Sequence, residues 1–155
     1  MKYYDSNTII YLDGQFNKAV ESGTDLYSQS LHYGYAAFEG IRSYKTHNGN
    51  RIFKVAAHFD RLERSCQLAN IPFPWKKQDL IDATYKLLTL NKLKDAYIRP
   101  LVFCHPNMKL SEPTGVSILL CAWDWDAYSG DKLLKLTVSQ YERPNPKSTP
   151  MEAKL

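Results

Sequence analysis

The chain has 155 residues, of which 44% are hydrophobic and 23% are charged, and its formal net charge is +4. This length and composition are typical of one globular domain with a single core. Because the lysines and arginines are dispersed among acidic residues instead of forming a run, the charge pattern argues against a nucleic-acid-binding surface.

Two turn signals in the first third of the chain predict β-hairpins. Asp13-Gly14 lies between two short β-prone runs in IIYLDGQFNKAV, and Asn48-Gly49 is the predicted tip in FEGIRSYKTHNGNRIFKV. We therefore expect an antiparallel sheet in this part of the chain.

Two amphipathic helices are predicted next. From Val55 onward, apolar residues recur at helical spacing, and this helix should end before IPFPWKK, where two prolines prevent its continuation. A second helix is predicted in KQDLIDATYKLLTLNKLK. The stretch DRLER in the first helix is typical of a solvated face with an Asp60–Arg64 pair.

Three strands are predicted after the helices. DAYIRPLVFCH and GVSILLCAWDW are rich in β-branched and aromatic residues, and a last strand is expected in KLLKLTVSQY. Strands, then two helices, then strands indicate an α+β fold, with a mainly antiparallel sheet and two helices packed on one face.

The tail differs in composition from the rest of the chain. Pro144, Pro146 and Pro150 favour an extended, semi-rigid path of the kind found in linkers between domains. Lys154 therefore belongs either to a solvated tail or to the reacting end of a domain, and its residue type alone does not decide between them.

The cysteines and histidines show no metal-binding spacing. The three cysteines lie far apart in apolar runs, which is typical of reduced, packed thiols, and the four histidines form no cluster. We predict no metal site. Because no stretch approaches the ~20 apolar residues needed to span a bilayer, we also expect no membrane association and a cytoplasmic location.

Arginines and aromatic residues coincide on two predicted strands. A period of two places Tyr97 and Arg99 on one face of their strand, and Phe38, Gly40 and Arg42 on one face of another. A buried arginine requires an anion, which is either an acidic side chain of the same domain or a ligand. A glycine within a strand indicates a bulge or close approach by a ligand or backbone.

Five blocks follow one another along the chain: LHYGYAAFEGIRSY, HFDRLERS, DAYIRPLVF, WDWDAYSG and PNPKSTPMEAKL. In this order they resemble the first half of a branched-chain amino acid aminotransferase, a pyridoxal-phosphate enzyme of fold type IV. The resemblance implies that Lys154 forms the Schiff base with the cofactor. It also implies a small N-terminal domain at residues 1–138, an interdomain linker at residues 139–155, and a C-terminal domain absent from this chain.

The resemblance assigns roles to individual residues. Arg61 falls on the position that binds the cofactor phosphate, where a guanidinium fork suits a dianion. Tyr97, Arg99 and Arg42 fall on positions that orient the substrate carboxylates. The positions that form the side-chain pocket are Tyr33, Phe38, Gly40, Trp125 and Tyr128.

The implied reaction is transamination of leucine, isoleucine or valine with 2-oxoglutarate, which yields branched-chain 2-oxo acids and glutamate. The family's remaining cofactor contacts come from the C-terminal domain, so we expect this chain alone to have negligible activity and to bind pyridoxal phosphate weakly. Family members are at least dimers, and the loop at 105–113 is the candidate to reach the neighbouring subunit.

Two other interpretations remain open. The first keeps the fold type but changes the substrate, as in D-amino acid aminotransferase or aminodeoxychorismate lyase, although the blocks YIRP and FEGIR favour the branched-chain group. The second is a non-catalytic α+β module that binds a partner through its tyrosine-rich face.

Overall fold

The computed structural model describes residues 3–125 and 133–155. In these residues seven strands form one antiparallel sheet in the order β2-β1-β7-β6-β4-β5, and β3 pairs with β6 beside β4. The strands are β1 Ile9–Leu12, β2 Gln15–Lys18, β3 Ala36–Phe38, β4 Ile41–Thr46, β5 Gly49–Ile52, β6 Ala96–Cys104 and β7 Val116–Asp124. The α-helices are α1 Gln29–Tyr33, α2 Val55–Leu68 and α3 Lys77–Leu90.

Both predicted hairpins are present. In the first, Asp13 and Gly14 take positive φ angles of 47° and 95°, as a two-residue turn between β1 and β2 requires. In the second, Thr46 pairs with Gly49, so the tip is His47–Asn48 and Gly49 already opens β5. The predicted tip, Asn48-Gly49, was therefore one residue late.

The two long helices pack on one face of the sheet, as the sequence predicts. The apolar stripe of α2 buries Phe59, Leu62 and Cys66, and α3 contributes the buried Leu80 and Leu87. Strand β6 alternates strictly between buried and half-buried residues. Its buried row packs under the helices, so Tyr97 and Arg99 lie in the other row, on the opposite face.

The stretch LHYGYAAFEGIRSY begins within a short helix that the sequence did not predict, since only a strand at Phe38, Gly40 and Arg42 was expected there. Helix α1 begins after Ser28, whose hydroxyl accepts a hydrogen bond from the Ser30 backbone N–H, and it ends at Gly34 with a φ angle of 64°. The side-chain cap and the left-handed glycine are ordinary helix boundaries, but five residues are too few to show a helical period.

The predicted last strand, KLLKLTVSQY, is wrong over its described part. Residues 133–139 form neither helix nor strand, and the side chains of Leu133, Leu136 and Val138 are almost fully exposed. The alternation of apolar residues is real, but no other described strand pairs with this segment. A strand requires a neighbouring edge as well as a pattern.

The cysteines are free thiols in apolar surroundings. Burial raises the pKa of Cys66 to about 12 and that of Cys121 to about 11, which suppresses thiolate chemistry.

Residues 3–125 and 133–155 contain no group of three or more histidine, cysteine, aspartate or glutamate side chains arranged for a metal ion. Within the same ranges, no helix is long and apolar enough to cross a membrane.

Candidate active site

Lys154 is held against the domain by its own backbone. Its N–H donates to the Ser65 hydroxyl on α2 at 3.0 Å, and its carbonyl accepts from the Phe38 N–H at the end of β3, also at 3.0 Å. Ser65 is buried. One helix and one strand therefore fix the position of a residue that belongs to no regular element, and the side chain of Lys154 remains 35% exposed.

A buried carboxylate lies beside the lysine. Glu39 sits in the break between β3 and β4 with a fully buried side chain, and its Oε2 is 3.8 Å from Lys154 Nζ. Arg61 on α2 donates from Nε to Oε1 at 2.5 Å and from Nη2 to Oε2 at 2.7 Å. His58, one helical turn earlier, lies with Nδ1 2.9 Å from Oε2. Three basic side chains thus converge on one acid.

The electrostatics of this cluster keep Glu39 ionised. Burial alone would raise the pKa of its carboxyl group, but hydrogen bonds from Arg61 and His58 and the charge of Lys154 bring that pKa below its usual value. The hydrogen bond to Glu39 in turn raises the pKa of Arg61. Since an ionised carboxylate only accepts hydrogen bonds, His58 Nδ1 carries the hydrogen in this contact.

Phe38 connects the lysine to a second arginine. The Phe38 ring centroid is 5.1 Å from Lys154 Nζ and 4.6 Å from the guanidinium carbon of Arg99. Arg99 also lies 5.3 Å from the Tyr97 ring and donates from Nη2 to the Tyr97 hydroxyl at 2.9 Å. The Phe38 ring therefore contacts two cations, and this group of side chains presents π-faces and positive charge.

No acidic side chain of the described residues forms an ion pair with Arg99. Its Nε is buried and has no hydrogen-bond partner among residues 3–125 and 133–155. Of the two alternatives left open by the sequence, a structural salt bridge and a ligand anion, this environment is consistent with the second.

Gly40 and Arg42 adjoin this group of side chains through Tyr97. A Cβ atom on Gly40 would overlap the Tyr97 hydroxyl, so the glycine permits close approach by that side chain. Arg42 pairs with Tyr97 in the β4–β6 register and donates from Nη2 to the Trp125 carbonyl at 2.7 Å. The rings of Trp125 and Tyr97 lie 4.9 Å apart, which places Trp125 in the same group.

Two predicted pocket residues are not placed with this group. Tyr33 ends α1, and its hydroxyl donates to the Met108 carbonyl of the loop at 105–113 at 3.0 Å. Tyr128 lies outside the described residues.

The predicted Asp60–Arg64 ion pair on α2 does not form. Asp60 pairs instead with Lys77 of α3, and Arg64 pairs with Glu152 at 2.8 Å.

Sequence reasoning missed three residues that build the site: Glu39, His58 and Ser65. Glu39 gave one usable signal, since a lone carboxylate stands inside the apolar run AAFEGI. Strand alternation directs it away from the row that contains Phe38 and towards α2. His58 and Ser65 are ordinary helical residues whose importance depends on contacts across the fold.

A separate cavity of about 540 Å³ lies on the face of the sheet that carries Arg99. Leu101, Phe103 and Leu119 form part of its wall, and neither Lys154 nor Arg61 lines it. This cavity is lined mainly by apolar residues and is distinct from the charged cluster.

The sequence and the fold both match known proteins. Residues 36–155 match the family model described as "Amino-transferase class IV". The branched-chain-amino-acid aminotransferase of Pseudomonas aeruginosa is 34% identical over 137 residues, which cover 87% of this chain and 45% of that protein. The chain thus spans about half the length of the curated relatives it matches.

Solved structures of branched-chain amino acid aminotransferases are similar to this chain in fold. A crystal structure of the Escherichia coli branched-chain amino acid aminotransferase has a TM-score of 0.88 and 31% identity, covering 96% of this chain and 51% of that one. The T.th. branched-chain amino acid aminotransferase, complexed with N-(5'-phosphopyridoxyl)-L-glutamate, has a TM-score of 0.73 and 30% identity, covering 77% of this chain and 41% of that one.

Proposed function

The chain belongs to the class IV aminotransferase family, and we propose that it serves transamination of leucine, isoleucine or valine with 2-oxoglutarate, with Lys154 as the reacting amine. One observation carries the proposal. Lys154 Nζ and Arg61 Nη2 lie 3.8 Å and 2.7 Å from the same oxygen of Glu39, while the Phe38 ring contacts both Lys154 and Arg99. An amine is thereby grouped with two guanidinium groups.

These residues fit pyridoxal phosphate. The cofactor needs an amine for covalent attachment and a donor fork for its phosphate, and Lys154 and the exposed edge of Arg61 have these chemistries. When bound, pyridoxal phosphate supplies an electron sink that stabilises negative charge at the substrate α-carbon. That a related aminotransferase structure holds a phosphopyridoxyl-glutamate adduct supports this choice of cofactor.

In this proposal Lys154 acts as a general base and acid. Its Nζ removes the α-proton of the amino acid and later returns a proton, which requires the amine to stay close to the reacting atoms. The two backbone hydrogen bonds to Ser65 and Phe38 hold the lysine in place for this task.

Arg99, Tyr97 and Arg42 bind the carboxylates of the substrates. The buried Arg99 Nε and the Tyr97 hydroxyl offer hydrogen-bond donors to a substrate carboxylate. That carboxylate would take the place of the acidic side chain that Arg99 lacks among the described residues. Phe38, Gly40 and Trp125 belong to the proposed pocket, whose aromatic walls suit branched apolar side chains at ~25 cal/mol per Å² buried. Tyr33 and Tyr128 stay predictions, because the described geometry does not place them with this group.

The experiment that tests Lys154 is chemical trapping. The chain is incubated with pyridoxal phosphate, reduced with borohydride and digested, and the pyridoxylated peptide is identified by mass spectrometry. We expect label on Lys154 and its loss in Lys154→Ala. Lys147→Ala, a matched exchange at an exposed lysine of the same tail, should leave the label unchanged. Label on other lysines but none on Lys154 would overturn the proposal.

We further propose that residues 1–138 form the small domain, that residues 139–155 link it to a second domain, and that the chain alone turns over leucine negligibly. Lys154 and Arg61 are 35% and 49% exposed, whereas this chemistry benefits from exclusion of water. A coupled assay with leucine and 2-oxoglutarate should show no turnover above background, and clear turnover would contradict this prediction.

The proposal also includes at least a dimer, with the loop at 105–113 turned towards the neighbouring subunit. This loop is held close to its tip, because the Gln29 amide donates to the carbonyls of Lys109 and Ser111, on either side of Leu110, at 3.1 and 3.0 Å. Its tip carries Leu110, which is 88% exposed. A fixed loop with an exposed apolar tip is consistent with a contact surface.

A further inference from the structure

Glu39 is a costly residue for its position. A fully buried carboxylate loses its hydration, and this loss is compensated only by hydrogen bonds and opposite charge. The contacts that compensate it come chiefly from α2, through Arg61 and His58, and one more comes from the Gly40 N–H at 3.3 Å. Glu39 therefore joins the break between β3 and β4 to the face of α2 that approaches Lys154.

The contact with Arg61 uses only one edge of the guanidinium group. Arginine has five N–H donors, and Nε and one hydrogen of Nη2 point to Glu39. The two Nη1 hydrogens and the second Nη2 hydrogen remain on the opposite edge. The side chain is 49% exposed while its partner is fully buried, so the used edge faces the protein and the unused edge faces outward.

From this geometry we infer that Glu39 is a positioning residue, whose carboxylate clamps the inner edge of Arg61 and so presents the outer edge to the phosphate of pyridoxal phosphate. This inference rests on the proposed function. Two parallel hydrogen bonds fix both the plane and the rotation of the guanidinium group, which a single bond does not. An ordered fork loses less entropy when it binds an oxyanion.

The same carboxylate is 3.8 Å from Lys154 Nζ, so it also sets the spacing between the amine and the phosphate donor. Glu39 therefore acts through two other residues and need not touch the cofactor itself. A change at Glu39 should affect recognition of the phosphate group more than recognition of the aldehyde.

The test compares pyridoxal phosphate with pyridoxal, which lacks the phosphate. The 155-residue chain is titrated with each aldehyde, reduced with borohydride at every concentration, and digested, and the labelled Lys154 peptide is quantified by mass spectrometry. The ratio of the two half-saturation concentrations is the phosphate preference. Comparing this ratio between variants cancels the different intrinsic reactivities of the two aldehydes.

We expect Glu39→Gln to reduce the phosphate preference about tenfold, the effect of a lost charge-assisted hydrogen bond. Glu39→Asp, which keeps the charge but is one methylene shorter, should fall between Glu39→Gln and the wild type. Glu21→Gln makes the same chemical change at an exposed acid paired with Lys18 and should leave the preference unchanged. Should Glu39→Gln fail to fold, as judged by circular dichroism, Glu39→Asp decides by the same ratio.

The two proposals fail in different ways. If Glu39 has only a structural role, its variants weaken the binding of pyridoxal phosphate and of pyridoxal equally. The ratio of the two half-saturation concentrations then stays at the wild-type value, which overturns the inference. If the wild type shows no more preference than Arg61→Ala, or if label falls on other lysines and not on Lys154, the proposed function itself is wrong. Loss of the preference in Arg61→Ala and its reduction in Glu39→Gln together support both.

Discussion

Residues 133–138 and residues 151–155 both lack helix and strand, yet their surroundings are opposite. The first segment carries alternating apolar side chains and leaves them in solvent, whereas the second is bound through the backbone of Lys154 to Ser65 and Phe38. This difference shows that an alternating apolar pattern does not form a strand unless the edge of another strand is available for pairing. Two well-placed hydrogen bonds and a charge cluster hold a segment that has no regular structure.

The strongest way to break this contrast is to remove the charge of Glu39. At pH 7 Glu39→Gln should lower the free energy of unfolding by about 1.5–3 kcal/mol, the usual contribution of hydrogen bonds to charged groups. Because the folded-state pKa of Glu39 lies below its ordinary value of 4.5, this stabilisation is complete above that pH and is lost as the pH falls through the folded-state pKa.

Denaturant unfolding at a series of pH values measures this effect. The wild type and Glu39→Gln should differ at pH 7 and converge in acid, while the surface variant Glu21→Gln should match the wild type at neutral pH. A difference that stays constant down to strongly acidic pH would show that Glu39 contributes shape and not charge.

A smaller effect is expected when only the hydrogen bond between the Lys154 backbone and Ser65 is removed. Ser65→Ala removes the acceptor of the Lys154 N–H, and we expect a loss of about 1 kcal/mol in unfolding free energy together with faster amide exchange at Lys154. Ser148→Ala removes a hydroxyl whose bond to the Asn145 carbonyl stays within the exposed tail, so it serves as the control. Equal effects of the two variants would contradict the docked position of Lys154.

The smallest effect is expected in the exposed segment. Leu136→Ala should change the unfolding free energy by less than about 0.5 kcal/mol, because the side chain is 89% exposed. The buried Leu120→Ala in β7 shows whether the same measurement detects a lost core contact. A loss of about 1 kcal/mol or more in Leu136→Ala would mean that the segment packs against the domain.

Most of the fold was predictable because it depends on local patterns. Turn signals located the first hairpin to the residue, helical periodicity located α2 and α3, and alternation placed Tyr97 and Arg99 on one face. The same alternation failed in KLLKLTVSQY, since it reports which side chains are apolar and not whether a partner strand is present. Helix α1 was too short to produce a period.

The site was predictable only in part, for a different reason. Motif resemblance indicated Lys154 and Arg61, but the residue that joins them, Glu39, is 115 positions before the lysine and 22 before the arginine. No spacing rule connects positions so far apart. The contact requires the β3–β4 break, the side face of α2 and the returning tail to meet at one point, which only the three-dimensional fold specifies.

Amide hydrogen exchange, resolved at single residues, tests most directly whether Lys154 is docked in the proposed site. The N–H groups of Phe38 and Lys154, which bond to the Lys154 carbonyl and to Ser65, should exchange much more slowly than those of Leu136 and Val138. If Lys154 exchanges as fast as Leu136, the lysine belongs to a solvated tail and the site built around Glu39 does not exist in solution.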